Sequence, residues 1–491
     1  MGGFNMNIKV TSPAGEKIIE VNGEENLLHA IRANGMQVPG AACGGKGKCR
    51  KCWVYADGKK VLSCETKAEG VSEVVIPEPE EINAVTKGAQ DIAPGGTGLG
   101  VAVDIGTTTV ATFLYDLESG KMLCKTGTRN AQRSYGADVI SRIQAWSEGH
   151  GEEMTAVIRK QISDMIDELC IVAKRERSEV TFVSIVGNTV MQHIPEGLSP
   201  VAIGVAPFTP ESLFGDIRPA SNWFEGLCDG AQLYLADCMA GYVGGDITAG
   251  LYASGGLEAD GLWFYIDIGT NGEMCLGNKD GWVSCATAAG PAFEGAEISC
   301  GMDGSAGAID KITVVDGELQ CHVIGDVTAK GLCGSGLIDA VSCLLTVEEL
   351  NEAGRLDESP RELRDGVTIC ADDIRQVQLA KAAIRAGAET LLAHTGHKVE
   401  EITQLVIAGG FGSYMDAASA LHIGLLPEVS LDKIVHVGNA AGAGASLALT
   451  DWGREQIAEL NRRCTYFELS GDKLFRDFYV DCMAFDTDDD D

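Results

Sequence analysis

The sequence predicts an α+β chain of two units, a small strand-and-helix module at the N-terminus and a long α/β body built by internal duplication. Three observations predict this. Four cysteines, Cys43, Cys49, Cys52 and Cys64, fall within the first 64 residues. The stretch PEPEEINAVTKGAQDIAPGGTG, which begins at Pro77, is rich in Pro, Gly and acidic residues, lacks periodicity and reads as a linker. Beyond it, VAVDIGTTTVATFLYD at 101–116 and LWFYIDIGTNGEMCLG at 262–277 repeat the pattern strand, Asp-Ile-Gly-Thr, strand, with the two aspartates 163 residues apart. The expected boundaries are 1–78 for the module, 79–98 for a flexible linker and 99–491 for the body. Within the body, one lobe spans about 99–260, a second about 261–450 and a terminal segment about 451–491.

Taken in order, NIKVTS and KIIEV are alternating runs joined by Pro13-Ala14-Gly15, a hairpin. Asn26 to Asn34 has apolar residues at helical spacing and stops at Gly35. The cysteine loop follows, and CWVYADG and KKVLSC return as strands, which is the order of a β-grasp module. In CGGKGKCRKC, three cysteines lie within ten residues, and Gly44, Gly45 and Gly47 let the backbone curl round an inorganic core. Thiolates packed this closely repel one another unless a metal neutralises them. Cys-x2-Cys is also zinc spacing, but zinc loops usually pair two such knuckles, and this loop has one. The reading is therefore a [2Fe-2S] cluster, and the module resembles the plant- and adrenodoxin-type ferredoxins. Only eleven residues separate Cys52 from Cys64 where those families insert more, so Cys64 is the ligand that departs most from the pattern.

At 491 residues and 45% apolar content the chain can build several packed cores. Lys plus Arg number 38 against 71 Asp plus Glu, a net charge of −33, which argues against nucleic-acid and anionic-membrane partners. The module is locally different, with ten basic and nine acidic side chains in residues 1–78. Lys46, Lys48, Arg50 and Lys51 sit in the cysteine loop itself, either to dock on an acidic partner or to offset cluster charge. Seventeen cysteines without a signal peptide, and no apolar run of membrane-spanning length, point to a reducing cytoplasm.

In the body, each Asp-Ile-Gly-Thr turn exposes backbone amides, and two such turns facing one another can hold a nucleotide's phosphates with an aspartate beside each. This resembles the superfamily of acetate kinase, sugar kinases, actin and the heat-shock chaperones, which implies a duplicated ribonuclease-H-like, actin-like ATPase fold. VIAGGFGSY at 406–414 matches that superfamily's adenosine motif, GLCGSGLIDAVSCLL opens a helix whose amides could face the nucleotide, and HVGNAAGAGASLAL at 436–449 matches its last connecting helix. The small residues of this last run favour close helix contact.

The runs GNTVMQHI (187–194), VAPFTP (205–210), YVGGDITAG (242–250), DIGTNGE (267–273), GPAFEGAEISCGM (290–302), QLAKAAIRAG (378–387) and YFELSGDKLFRDFYVDCM (466–483) resemble one family. It comprises the ATP-dependent reductive activators of corrinoid-dependent methyltransferases. The chain differs from larger members in leaving little room between linker and first repeat for an additional middle domain. The resemblance implies one-electron reduction of cob(II)amide to cob(I)amide on a corrinoid protein, coupled to ATP hydrolysis, with an upstream low-potential electron donor and a homodimer left open. It also implies that Asp104 and Asp267 hold Mg²⁺ and orient the attacking water. Amides of Gly106, Thr107, Thr108, Gly269, Thr270 and Asn271 would hold phosphates, and Gly409, Gly410 and Gly412 would frame adenosine. Asp246 is either a cleft residue or a helix cap, and His193 and His436 read as structural residues rather than metal ligands. Other readings are an ATP-driven donor to a different low-potential metalloenzyme, a small-molecule kinase with an accessory redox domain, and a redox-sensing scaffold.

Overall fold

The structure, a computed structural model, describes residues 5–12, 15–34, 36, 38, 52–77 and 90–485. The N-terminal module is built from β1 (Asn5–Ser12), β2 (Gly15–Asn22), α1 (Leu27–Ala33), β3 (Trp53–Ala56), β4 (Lys59–Leu62) and β5 (Glu73–Val75). Its sheet runs β2-β1-β5-β3-β4, with β5 parallel to β1 and antiparallel to β3, a β-grasp arrangement. Asn26 starts α1 by accepting the His29 amide at 2.9 Å. Leu27, Leu28, Ala30 and Ile31 then share one side and bury against Ile8, Val10, Val54 and Val74. Sequence reading missed β5. Three residues give too short an alternation to register as a strand, yet β5 occupies the centre of the sheet.

Of the expected linker, residues 79–89 lie outside the described residues, and 90–98 lie against the body. The Ile92 side chain is buried and its amide donates to Gly120 at 2.8 Å. Tyr115 donates its hydroxyl to the Gln90 carbonyl at 2.9 Å, and the amides of Gly95 and Gly96 both reach the Leu117 carbonyl.

The body contains two six-stranded sheets. The first comprises β6 (Leu99–Ile105), β7 (Thr109–Asp116), β8 (Lys121–Arg129), β9 (Val180–Gly187), β10 (Ile217–Pro219) and β11 (Gln232–Leu235), in the order β10-β11-β9-β6-β7-β8. The second comprises β12 (Leu262–Ile268), β13 (Gly272–Asn278), β14 (Gly281–Thr287), β20 (Ile402–Ala408), β21 (Ile434–Gly438) and β22 (Cys464–Tyr466), in the order β21-β20-β12-β13-β14-β22. Strands β15 (Ala308–Val315), β16 (Glu318–Val323) and β17 (Gly331–Leu332) form a small separate sheet, and β18 (Arg361–Arg364) and β19 (Val367–Ile369) a hairpin. Each large sheet has an antiparallel three-strand meander whose first strand pairs in parallel with a later one, β6 with β9 and β12 with β20. The duplication read from the two repeats is therefore a duplication of topology.

Helices cover both faces. On the first sheet lie α2 (Val139–Ala145), α3 (Gly151–Ala173) and α4 (Thr189–Glu196), and the second sheet packs in one core with α6 (Gly334–Thr346), α7 (Ala371–Thr395) and α8 (Ala417–His422). Between the sheets run α5 (Gly245–Ala253) and α9 (Ala440–Leu447), followed by α10 (Asp451–Arg462). The chain then returns to the second sheet as β22, and α11 (Lys473–Asp481) packs on α7. No helix among the described residues is long and apolar enough to cross a membrane.

The crossing of α5 and α9 uses the small residues noted in the sequence. A Cβ on Gly444 would overlap the Ala249 carbonyl, and one on Gly250 would stand 2.6 Å from the Tyr265 hydroxyl. Gly444→Ala is expected to cost about 1–3 kcal/mol, the usual price of overpacking a close contact, and to lower the melting temperature measured by circular dichroism.

Candidate active site

The sheets converge on a cleft of about 970 Å³, near the upper end of the roughly 300–1,000 Å³ typical of ligand sites. Its first wall is the turn between β6 and β7. Here Gly106 is required by space, since a Cβ would stand 2.9 Å from the Thr109 carbonyl oxygen. Neighbouring side chains fix this turn. Asn130 donates to the Gly106 carbonyl at 2.8 Å, Asn188 donates to the Thr107 hydroxyl at 3.0 Å, and the Arg142 guanidinium donates to the Thr107 carbonyl. Arg142 is fully buried, and burial together with the nearby charge of Arg133 pulls its pKa down to about 9.

The second wall is the matching turn between β12 and β13, where the Gly269 amide donates to the Asn271 carbonyl at 2.9 Å. The glycine turn after β20 closes against it. Gly409 has φ +91°, and a Cβ there would stand 2.5 Å from the Asp267 carboxylate, so both backbone conformation and space demand glycine. Phe411 stacks on Phe293 with ring centroids 5.5 Å apart, and Cys333, Gly334 and Ser335 at the start of α6 face the same space.

All but one of the residues expected at a nucleotide site line this cleft: Asp104, Gly106, Thr107, Thr108, Asp267, Gly269, Thr270, Asn271, Gly409 and Gly410. Gly412 does not. It packs against the Ala408 carbonyl, and its own carbonyl meets the Nδ1 of His436 at 2.7 Å. His193 is likewise engaged structurally, with Nδ1 on the Thr189 carbonyl at 2.7 Å and Nε2 accepting the Ser212 amide at 3.3 Å.

Asp246 lines the cleft, and the residue capping α5 is Gly244. It belongs to a group of four carboxylates gathered from β6, α5, β12 and β13. Burial raises Asp104 to about 6, opposed by a 2.8 Å hydrogen bond from Asn439. Burial, then the charge of Asp104, raises Asp267 to about 7. Burial, then the charges of Asp267 and Asp104, raises Asp246 to about 8. Glu273, directly across the strand pair from Asp267, is held well above the usual carboxylate range by burial and by Asp246. Such a group is costly in the absence of cations, and pKa values perturbed by burial and like charge in a cleft mark a functional site.

Sequence reading singled out neither Glu273 nor Glu294, although both lie inside runs it quoted, DIGTNGE and GPAFEGAEISCGM. Asn188 and Asn439 stood in GNTVMQHI and HVGNAAG in the same way. Glu294 accepts the Thr108 hydroxyl at 2.5 Å and the Thr270 hydroxyl at 2.8 Å, one from each turn.

In the N-terminal module, Cys52 and Cys64 flank the open end of the β3–β4 hairpin, and both are buried. Ser63, next to Cys64, donates its amide and its hydroxyl to the Cys52 carbonyl, both at 2.9 Å. Cys43 and Cys49, with Lys46, Lys48, Arg50 and Lys51, lie outside the described residues.

Comparison with known proteins bears on the whole arrangement. Residues 261–491 match the sequence model of the C-terminal domain of RACo, the ASKHA domain, and residues 99–258 match that of the RACo middle region. A corrinoid activation enzyme, RamQ, of Eubacterium limosum is 34% identical over 418 residues, covering 78% of this chain and 69% of the relative. The chain belongs to the RACo family. Its actin-like body is the ASKHA fold, and the middle region, for which the sequence left little room ahead of the first repeat, contains that repeat and is the first of the two sheet units. A reductase of the Co(II) methylated amine-specific corrinoid protein from Methanosarcina barkeri is 26% identical over 78% of this chain and 76% of its own length. Among solved structures, a reductive activator for corrinoid, iron-sulfur protein superposes with a TM-score of 0.72 at 28% identity, covering 97% of this chain and 98% of its own.

Proposed function

We propose that this RACo-family chain reactivates a corrinoid protein by ATP-dependent one-electron reduction of cob(II)amide to cob(I)amide. The observation that carries the reading is the convergence of both Asp-Ile-Gly-Thr turns and of Asp104, Asp246 and Asp267 on one cleft, in a chain that also bears a β-grasp module with buried Cys52 and Cys64. The names of the relatives supply the acceptor class, a corrinoid protein. The reading also includes a cytoplasmic setting and an upstream low-potential donor.

The residues fit the groups this needs. No three or more His, Cys, Asp or Glu side chains form a metal cage among the described residues. Mg²⁺ in nucleotide sites takes one or two carboxylates and completes its shell with phosphate oxygens and water, as Asp104 and Asp267 would allow. Cys52 and Cys64 lie together at one end of a rigid hairpin, as two ligands of one cluster must. When bound, a [2Fe-2S] cluster supplies a one-electron reductant and Mg²⁺ neutralises phosphate charge.

The chain's own work begins with the turns. Amides of Gly106, Thr107, Thr108, Gly269, Thr270 and Asn271 hold the phosphates, while Asn130, Asn188 and Arg142 keep the first turn in shape. Gly409 and Gly410 leave room for adenosine. Asp104 and Asp267 orient the attacking water, and Asp246, the third aspartate lining the cleft, takes its proton when ionised.

The deciding experiment mixes the reduced protein with a cob(II) protein and ATP and follows the cob(I) absorption. Formation that requires ATP supports the reading, and formation indifferent to ATP overturns it. Cys52→Ser should remove the electron-resonance signal of a reduced [2Fe-2S] centre and most of the roughly two irons per chain, leaving ATP turnover intact. Zinc in place of iron after anaerobic reconstitution would overturn the redox assignment.

A further inference from the structure

Glu294 stands at the end of a short 3-10 turn, Ala292–Glu294, directly after Phe293 of the stacked pair. Its two carboxylate oxygens take one hydroxyl each, Oε2 from Thr108 in the first lobe and Oε1 from Thr270 in the second. Between residues 186 positions apart, this is a clip across the cleft, beside the ion pair of Arg129 with Asp303 and the bond from Asn439 to Asp104. A carboxylate fixed on the hydroxyls of both turns puts negative charge beside the amides that are to hold the phosphates. A second anion brought to the same turns meets a steep electrostatic penalty in a partly desolvated cleft.

We propose that Glu294 is a displaceable internal stand-in for the terminal phosphate, which makes the cleft discriminate ATP from ADP. The proposal rests on the reading of the cleft as an ATP site. The adenosine-side glycines, Gly409 and Gly410, and the turn bearing Thr270 all belong to the second lobe, whereas Thr108 comes from the first. The proposal puts the last phosphate, the one farthest from Gly409 and Gly410, against the first-lobe turn, where it would displace Glu294 from Thr108. A diphosphate held on the second lobe would leave that bond across the cleft in place. Binding of ATP is therefore weakened by the work of breaking the clip, and binding of ADP is not.

The test uses the full-length protein and compares a non-hydrolysable ATP analogue with ADP by titration calorimetry. Glu294→Gln keeps the size and removes the charge. It should tighten the analogue about tenfold while moving ADP less than about twofold. Weaker analogue binding, or equal tightening of both nucleotides, overturns the proposal. Failure of the wild type to bind either nucleotide would instead bring down the ATP reading, and the proposal with it. A second measurement needs no variant: amide exchange in residues 291–296 of the wild type should speed up with the analogue and stay unchanged with ADP. Exchange that ignores the analogue also overturns the proposal.

Discussion

Asp267→Asn is expected to lower ATP turnover at least about a hundredfold while the spectrum of the proposed [2Fe-2S] centre and the fold stay intact. Asp267 ends β12, faces Glu273 across the strand pair, and touches the space where Gly409 has no side chain. The amide keeps this shape and removes the charge that Mg²⁺ and the attacking water require. Wild-type turnover carries a matching pH signature. Burial and mutual repulsion raise Asp104, Asp267 and Asp246 to about 6, 7 and 8, and in the proposed mechanism only their ionised forms hold Mg²⁺ or accept a proton. Turnover should fall as pH drops from 8 to 6, with extra Mg²⁺ restoring part of it, because the cation competes with protons for the same oxygens. Full turnover in Asp267→Asn would mean that the second repeat does not position the reacting groups.

Asp246→Asn is expected to stabilise the protein at pH 8 while abolishing most of its turnover. The folded state raises the Asp246 pKa from 3.8 to about 8, so the fold favours the protonated form. That contribution is fully present below pH 4 and is lost as pH rises through the folded pKa, where burial and the charges of Asp267 and Asp104 oppose ionisation. Asparagine cannot ionise and keeps it. Discounted for contact with cleft water and for the shared protons of its neighbours, the gain is on the order of 2–3 kcal/mol at pH 8. Urea unfolding at pH 8 and pH 5 checks this: the gap between variant and wild type should be wide at the first and narrow at the second. A variant less stable than wild type at pH 8 would show that Asp246 is held by favourable contacts rather than against its charge.

Features with a local period or a repeated motif were legible in the sequence. The two Asp-Ile-Gly-Thr hairpins predicted paired phosphate turns, and the structure lines one cleft with both. The apolar spacing after Asn26 predicted α1, and the run of small residues after Asn439 predicted a close helix crossing. What escaped is made of contacts between distant positions. Glu294 meets Thr108 across 186 residues, and Asn439 meets Asp104 across 335. A glutamate in a glycine-rich run and an asparagine before a helix read equally well as a solvated side chain and a cap, and Asn439 is in fact also the cap of α9. The return of the chain to the second sheet as β22 was similarly hidden, since three residues carry no period. Glycines were identified more readily than their reasons. Gly409 and Gly412 belong to one motif, yet the first is demanded by Asp267 and the second by the Ala408 carbonyl.

The α5–α9 crossing has a mechanical consequence. Where Gly444 meets Ala249, main chain bears on main chain, with no side chain between the helices to change rotamer if one lobe swings against the other. Under such a swing the contact would serve as a pin, with only the Ala249 methyl and main chain against Gly444. Resistance to the swing would then reside in the bridges made away from the crossing, Glu294 with Thr108 and Arg129 with Asp303. On the reading proposed above, a swing of the lobes about this crossing would be timed by the nucleotide between them rather than by the crossing itself.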